Sequence, residues 1–397
     1  MLPYNVITVR DYYPHKNNPI SSIWVYDQVK GLKKYGYNVL VVSPTPYIPF
    51  FLRKQNKYRF FPKPNTKIEN YLGTEVIRPS YLKIPNYYMY SLTQRSLMRA
   101  SLKSTNGCCP KLLHAHFGNN GIACVALKRK YKIPLITSFY GYDAGRLAET
   151  FKPYYKDLIQ EGELFLALSK DMKQDLIRIG FHEEKIRILH LGVDTIKFKE
   201  RKKNTDKFIF LVVARLDESK GVQDVIKAFC NVYKKYKQIE LRIVGQGSYL
   251  PNLIRQVEEL QLNDAVKFID NLATENPRGT VLEQMSTCDV FLLTSYTTAS
   301  GSKEGTPVVL MEAQSCSKPC ISTFHAGIPE VVIDKETGLL VNERDTGAIA
   351  KNMKKFIEDN NLRRTMGRSA QKHVEMNFNQ DKQISKLAKI YDELIKR

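Results

Sequence analysis

No stretch of this sequence approaches the roughly 18–20 apolar residues that a helix needs to cross a bilayer. Its first residues, MLPYNVITVRDYYPHK, hold a short strand-like run and lack the architecture of a secretory signal. Both absences predict a chain that stays in the cytoplasm, at most resting on a membrane. Cysteine is sparse and unpatterned: seven residues, an odd number, with no C-x-x-C pair. CSKPC (316–320) separates its thiols by three residues and has no histidine pair beside it. A zinc site and a disulfide framework are therefore disfavoured, and the thiols read as buried or incidental. Negative charge is also short, with 40 Asp and Glu against 61 Lys and Arg, a net +21. The excess lies in residues 1–200, which hold 31 basic and 15 acidic side chains. Residues 51–67, FLRKQNKYRFFPKPNTK, carry six basic and no acidic residues, interleaved with Phe, Tyr and Leu. That composition suits an anionic membrane surface. A solvated basic loop reads equally from it, and a nucleic-acid partner is not expected.

What is present is a globular composition, 43% hydrophobic and 25% charged, in a chain of 397 residues, too long for one ordinary core. Short apolar strands alternate with amphipathic helices: YNVITVR, a helix around 23–35, NVLVVSP, LLHAHF, a helix near 121–131, PLITSFYG, LFLALS, a helix over 170–179, IRILHLGVD. This order predicts a parallel sheet covered on both faces. After the polar stretch KFKERKKNTDK (197–207) the pattern restarts with KFIFLVVARL, ELRIVG, AVKFID, VFLLTS, PCISTF and GLLV. Two helices are predicted near the end, over about 345–360 and 382–396. The expectation is an α/β chain of two Rossmann-like, doubly wound domains, 1–198 and 199–380, with a helix over 381–397. A ligand is expected in a central cleft, outside the carboxyl ends of the strands.

The stretch EGTPVVLMEAQ (304–314) places Glu304 and Glu312 with seven residues between them, Thr306-Pro307 included. Pro307 fits the first turn of a helix and Thr306 its N-cap. The free N–H groups around Gly305–Val308 then form an anion site, and Gly305 permits close approach. Glu304 beside that site, and Glu312 one to two turns on, would accept hydrogen bonds from hydroxyls. One anion flanked by two polyols describes a sugar nucleotide. The alternative is a pair of surface carboxylates favoured by the helix dipole. VVARLDESKG (212–221) delivers Arg215 to a strand end and Lys220 to the next helix start, where two cations could clamp a pyrophosphate; an ordinary surface pair is the alternative. IVGQGS (243–248), with Gly245 and Gly247, is only part of a dinucleotide fingerprint and reads as a tight turn. HAHFGNNG brings His114, His116 and Asn119 to a strand end, and SFYGYD brings Tyr140, Gly141 and Asp143 to another. The two histidines lack a carboxylate or thiol cluster for a metal.

Taken in order, GVD, ARLDESKG, IVGQGS, CDVFLLTS, EGTPVVLMEAQ and AGIPEVVIDKETGLLV resemble the GT-B-fold retaining glycosyltransferases of family 4 over nearly the whole chain. HAHFG, FYGYD and SGSKEGTPVVLMEA look most like the colanic-acid and exopolysaccharide branch. The resemblance implies an enzyme moving a hexose-type sugar from a nucleotide-diphosphate donor, UDP-linked by preference, to a lipid-linked saccharide. No metal or other cofactor is implied. By the same resemblance Arg215 and Lys220 bind the diphosphate, Glu304 faces the donor sugar, Glu312 holds the ribose, and Gly305, Thr306 and Pro307 cradle phosphate and sugar. Gly245 counts with the donor-binding residues, and His116 and Asn119 with the substrate-binding ones. Tyr140 stands where the family commonly has histidine, with Asp143 retained. YYPHKNNPISSIW replaces a frequent Gly-Gly, which leaves Asn17, Asn18 or Ser21-Ser22 for contacts there, and Ser317 replaces a usual glycine. The family's last helix braces the first domain, a role that QISKLAKIYDELIKR suits. Two rival functions remain on the sequence: a nucleotide-sugar epimerase, and a non-catalytic basic protein binding lipid or nucleic acid.

Overall fold

The computed structural model describes residues 4–49, 61–83, 90–202, 205–298 and 303–396. Most of the basic stretch 51–67 lies outside the described residues. The chain divides into two compact units, residues 1–189 with 383–397, and residues 190–382.

In the first unit the elements run β1 (Val6–Val9), α1 (Ile23–Leu32), β2 (Val39–Val42), β3 (Thr45–Pro46), β4 (Asn65–Tyr71), β5 (Thr74–Arg78), β6 (Ser80–Tyr81) and α2 (Tyr90–Ser104). They continue with β7 (Leu112–His116), α3 (Gly118–Tyr131), β8 (Leu135–Ser138), α4 (Arg146–Glu161), β9 (Leu164–Ala167), α5 (Lys170–Ile179) and β10 (Ile186–Ile188). An eight-stranded sheet has the order β10-β9-β8-β7-β1-β2-β5-β4. VITV, VLVV, LITS and LFLA are buried at every position, as central parallel strands covered on both faces must be. β4 is the antiparallel edge, and its NTKIENY has no fully buried residue. Charged side chains on such an edge discourage pairing with other chains.

The second unit contains β11 (Phe208–Val213), α6 (Val222–Tyr233), β12 (Ile239–Val244), α7 (Leu250–Glu259), β13 (Val266–Ile269), α8 (Pro277–Thr287) and β14 (Val290–Leu293). Then come α9 (Val308–Ser315), β15 (Cys320–Thr323), α10 (Ile328–Val331), β16 (Gly338–Val341), α11 (Thr346–Glu358) and α12 (Asn360–Asn377). Its six strands, all parallel, have the order β13-β12-β11-β14-β15-β16. Successive residues of β11 serve opposite cores, as the two-residue period of a strand requires. Phe210 and Val212 pack with α6, α7 and α11, whereas Ile209, Leu211 and Val213 pack with α8, α9 and α12.

Several elements differ from the sequence expectation. α2, α4 and α12 were not anticipated, nor was the β4–β5 hairpin. The helix expected over about 345–360 is α11; Asp359 then leaves helical geometry and accepts the Leu362 N–H, capping the unanticipated α12. Residues 190–198, expected to close the first domain, pack in the second unit: Val193 exchanges backbone hydrogen bonds with Phe378 and Gln380, and Phe198 is fully buried there. Helix α13 (Gln380–Ile395) starts at the edge of the second unit, and from residue 383 it belongs to the first. Its Ile384, Leu387, Ala388, Tyr391 and Leu394 enter the core beneath α1. At Gly31 of α1 a methyl group would lie 2.3 Å from Ile384 Cδ1, so the helices meet where there is no side chain.

Candidate active site

In the second unit the strand order reverses direction between β11 and β14, the switch point at which open α/β sheets bind ligands. The carboxyl ends of β11, β14, β15 and β16 lie side by side and carry the polar residues. After β11 the chain runs through Arg215 to a single tight turn over 218–220, and Gly221, at φ +69°, starts α6. A Cβ on Gly221 would sit 2.0 Å from the Thr294 carbonyl, so only glycine lets this turn lie against the end of β14. Lys220 is thereby brought to Glu304, with which it forms an ion pair; the two side chains retain 21% and 15% of their exposure. Ser295, just after β14, donates to the same Glu304 oxygen at 2.8 Å. Burial raises the pKa of Glu304, but the Lys220 charge and these hydrogen bonds outweigh it and hold the carboxyl below its usual range.

Arg215 does not join this pair. It is 74% exposed and pairs with Asp217. Gly245, at φ +140°, would place a Cβ 1.9 Å from the Ala214 carbonyl, and at Gly247 one would meet the Leu216 carbonyl at 2.2 Å. The two glycines of IVGQGS therefore seat the backbone on either side of Arg215, which is their structural reason. The cap of α9 also differs from expectation. Pro307 itself is the N-cap, in extended geometry, without a side-chain cap. Thr306 is one residue outside, and its hydroxyl is buried with no hydrogen-bond partner. Gly305 is buried beside it, and Glu312 lies inside α9, partly exposed.

Sequence reasoning missed two residues here. The Glu304 N–H donates to Nε2 of His325, 3.1 Å away at the end of β15, and Nδ1 of that ring is 2.7 Å from Oε1 of Glu343 after β16. Their position just beyond two strand ends was the available signal.

In the first unit the reversal falls between β1 and β7, and again the strand ends carry the polar groups. His116 ends β7 and its Nδ1 is 2.5 Å from the Tyr140 hydroxyl after β8. His114, two residues earlier, stacks on His116 with ring centres 4.1 Å apart and bonds Tyr391 and Ser138 at 2.6 and 2.7 Å. Burial lowers the pKa of His114 to about 3 and, with His114 and Arg10 nearby, takes that of His116 well below normal, so both rings are neutral. Burial raises the pKa of the Tyr140 phenol, which stays protonated. Asp143 is buried and accepts the N–H groups of Gly118, Tyr140 and Gly141. It thus shapes the turn that presents Tyr140. Burial raises its pKa, partly offset by those N–H groups.

Arg10, directly after β1, was not anticipated either. Its guanidinium pairs with Asp11, donates to Ser22 at 2.9 Å and lies 4.1 Å over the Phe117 ring. Phe117 has φ +74°, strained for a residue with a side chain. Asn119 is the second residue of α3, and its Oδ1 is buried without a partner. Ser21 donates to the Tyr12 carbonyl at 2.7 Å, so both serines of the first loop have local partners. Among the described residues no cluster of three His, Cys, Asp or Glu could hold a metal, and no helix is long and apolar enough to cross a membrane. All seven cysteines are free thiols.

Two largely parallel sheets with polar strand ends at a reversal of order are the architecture of the GT-B glycosyltransferases, and comparison with known proteins gives the same class. The group 1 glycosyl transferase model matches residues 193–373, and that of glycosyltransferase family 4 matches residues 21–197. The chain belongs to these glycosyltransferases. It is 33% identical over 273 residues to the colanic acid biosynthesis glycosyltransferase WcaL of Escherichia coli, covering 67% of this chain and 66% of that one. With WcaL of Salmonella typhimurium the identity is 30% over 313 residues, 76% of each chain. With the amylovoran biosynthesis glycosyltransferase AmsK of Erwinia amylovora it is 29% over 330 residues, covering 81% and 80%. Among solved structures, sucrose-phosphate synthase of Thermosynechococcus elongatus superposes with a TM-score of 0.80 at 19% identity, over 98% of this chain and 99% of that one. HepE of Anabaena, solved with UDP-glucose, gives 0.74 at 17% identity, over 98% and 99%.

Proposed function

We propose that this chain is a retaining hexosyltransferase that takes its sugar from a nucleoside diphosphate, UDP in preference, and adds it to a lipid-linked saccharide during synthesis of a surface polysaccharide. The observation that carries the reading is the Lys220–Glu304 pair beside the uncapped start of α9. A cation and free helix N–H groups suit a diphosphate, and a carboxylate held ionised suits sugar hydroxyls. The unpartnered Thr306 hydroxyl is a further group awaiting a ligand. Glu312 would hold the ribose, and Arg215 would leave Asp217 to join Lys220 on the diphosphate.

In this mechanism the bond from C1 of the sugar to the phosphate oxygen breaks as the acceptor oxygen approaches on the same face. The acceptor proton passes to the departing phosphate. Lys220, Arg215 and the start of α9 take up the charge on the diphosphate, so the reading includes no metal. The first unit, with His116, Asn119 and Tyr140, would receive the acceptor. The relatives' names in colanic acid and amylovoran synthesis support a saccharide acceptor, and the positive charge of residues 1–200 supports attachment to an anionic inner leaflet.

The test is saturation-transfer binding and donor hydrolysis across a panel of nucleotide sugars, comparing the wild type with Glu304→Ala. One selected donor, with turnover lost in the variant, is the expected result. A wild type that binds no nucleotide sugar would leave the family's fold without its chemistry here.

A further inference from the structure

Lys220 is asked to do two things in this site. It pairs with Glu304, and in the reading above it also binds the diphosphate. When a diphosphate draws Lys220 away, Ser295 still donates to the Glu304 carboxylate, but the ion pair is gone and another contact must keep the backbone of its loop in place.

That contact is on the other side of the residue. The Glu304 N–H donates to Nε2 of His325 at 3.1 Å. A ring nitrogen that accepts a backbone N–H carries no proton, so the proton of the neutral ring is on Nδ1. There it faces Oε1 of Glu343 at 2.7 Å. Glu343 is fixed in turn by Thr297, whose N–H and hydroxyl each reach it at 3.2 Å. The Thr297 hydroxyl is also 3.4 Å from Nδ1. Burial raises the pKa of Glu343, but His325 and Thr297 outweigh it and keep the carboxyl below its usual range. His325 is 2% exposed. Four adjacent strand ends thus supply one continuous line, Lys220, Glu304, His325 and Glu343.

We propose that His325, held in its Nδ1–H tautomer by Glu343, is a positioning residue that keeps Glu304 aimed at the donor sugar once Lys220 has turned to the diphosphate. The inference rests on the donor-site reading above. The role needs an acceptor at Nε2. A proton on Nε2 would set two donors against each other and release the loop. Among the described residues, the titratable groups in contact at the ring are Glu343 from the end of β16 and, through its N–H, Glu304 from the loop before α9, and Thr297 after β14 adds a neutral hydroxyl.

Two measurements on the full chain test this. Histidine-selective 15N labelling, with the His325 signal identified by its loss in His325→Gln, reads the tautomer directly. The expected spectrum has the proton on Nδ1, and a proton on Nε2 overturns the proposal. The second measurement is kinetic, with the donor selected from the nucleotide-sugar panel and UDP as the sugar-free probe. His325→Ala should lower kcat by about tenfold or more, the scale on which misplaced groups act, while UDP affinity stays within about twofold. His325→Gln should recover part of the loss, because its amide oxygen can accept the Glu304 N–H. Unchanged kcat in His325→Ala, or equal loss of UDP and sugar-nucleotide binding without rescue by glutamine, overturns the positioning role and leaves the donor-site reading standing. If the wild type binds UDP but no nucleotide sugar, the donor-site reading fails, and this inference falls with it.

Discussion

Asp143 and Gly118, 25 residues apart, are joined by a 2.9 Å hydrogen bond from the Gly118 N–H to the carboxylate. Through it the turn after β8 and the start of α3 are one structure, and Tyr140 is set on His116 by both. Asp143→Ala should cost about 3 kcal/mol, since buried N–H groups lose a charged acceptor. Asp143→Asn should cost less but still destabilise, because its NH2 cannot accept where both carboxylate oxygens do so now. Urea unfolding of the three proteins checks the order.

Lys220→Met leaves Glu304 without its cation. The carboxyl should then titrate higher, and the fold should lose about 2 kcal/mol, less than breaking a fully buried pair costs, because both side chains keep some water contact. UDP affinity should fall by about tenfold, in keeping with loss of a charged hydrogen bond. Calorimetric titration with UDP and thermal unfolding separate the two effects.

Acid should weaken the second unit through named groups. Glu304 and Glu343 are both held below the ordinary glutamate value of 4.5, so each binds its proton less readily folded than unfolded. Their stabilisation is complete above the unfolded value and is lost as pH falls through their folded values. Stability measured between pH 6 and pH 3 should therefore fall less steeply in Glu343→Gln than in the wild type.

Gly245→Ala combines a backbone conformation that alanine avoids with a 1.9 Å approach to the Ala214 carbonyl. The strand end bearing Arg215 must move. A loss of about 2 kcal/mol is expected from strain of this kind, together with weaker UDP binding. Gly36, also at positive φ but with nothing within 4 Å, is the control: Gly36→Ala should cost about 1 kcal/mol and leave UDP binding unchanged.

How much of this was legible depended on how each element buries itself. β1 and β11 were readable because FIFLVV is apolar throughout and VITV apart from Thr8, as strands inside a parallel sheet are. β4 was not, because an edge strand rich in Asn, Lys and Glu has no apolar period. α12 buries only Met366, Gly367, Ala370 and Val374 in 18 residues, too thin a stripe to stand out. At the candidate site, Glu304 and Lys220 were singled out from their motifs, and the structure places them in contact. Their motifs also suggested that Arg215 would lie with Lys220, whereas it turns to Asp217, two residues away. Thr306 was misread as a cap because sequence cannot tell whether a threonine turns to the helix or stays outside it. His325 and Glu343 act through contacts 21 and 18 residues apart in the chain, and no local pattern carries that information.

The placement of α13 has a consequence for how the protein is made. Residues 383 onward complete the core of the first unit, although the whole second unit precedes them in the chain. A ribosome therefore releases residues 190–382, enough for a domain to fold as a unit, before the earlier unit has received its closing helix. Until then the part of the first unit's core that takes Ile384, Leu387 and Tyr391 is uncovered. Of the two units, the one that begins first is thus the one that finishes last, and its nascent form exposes apolar surface that the finished unit covers.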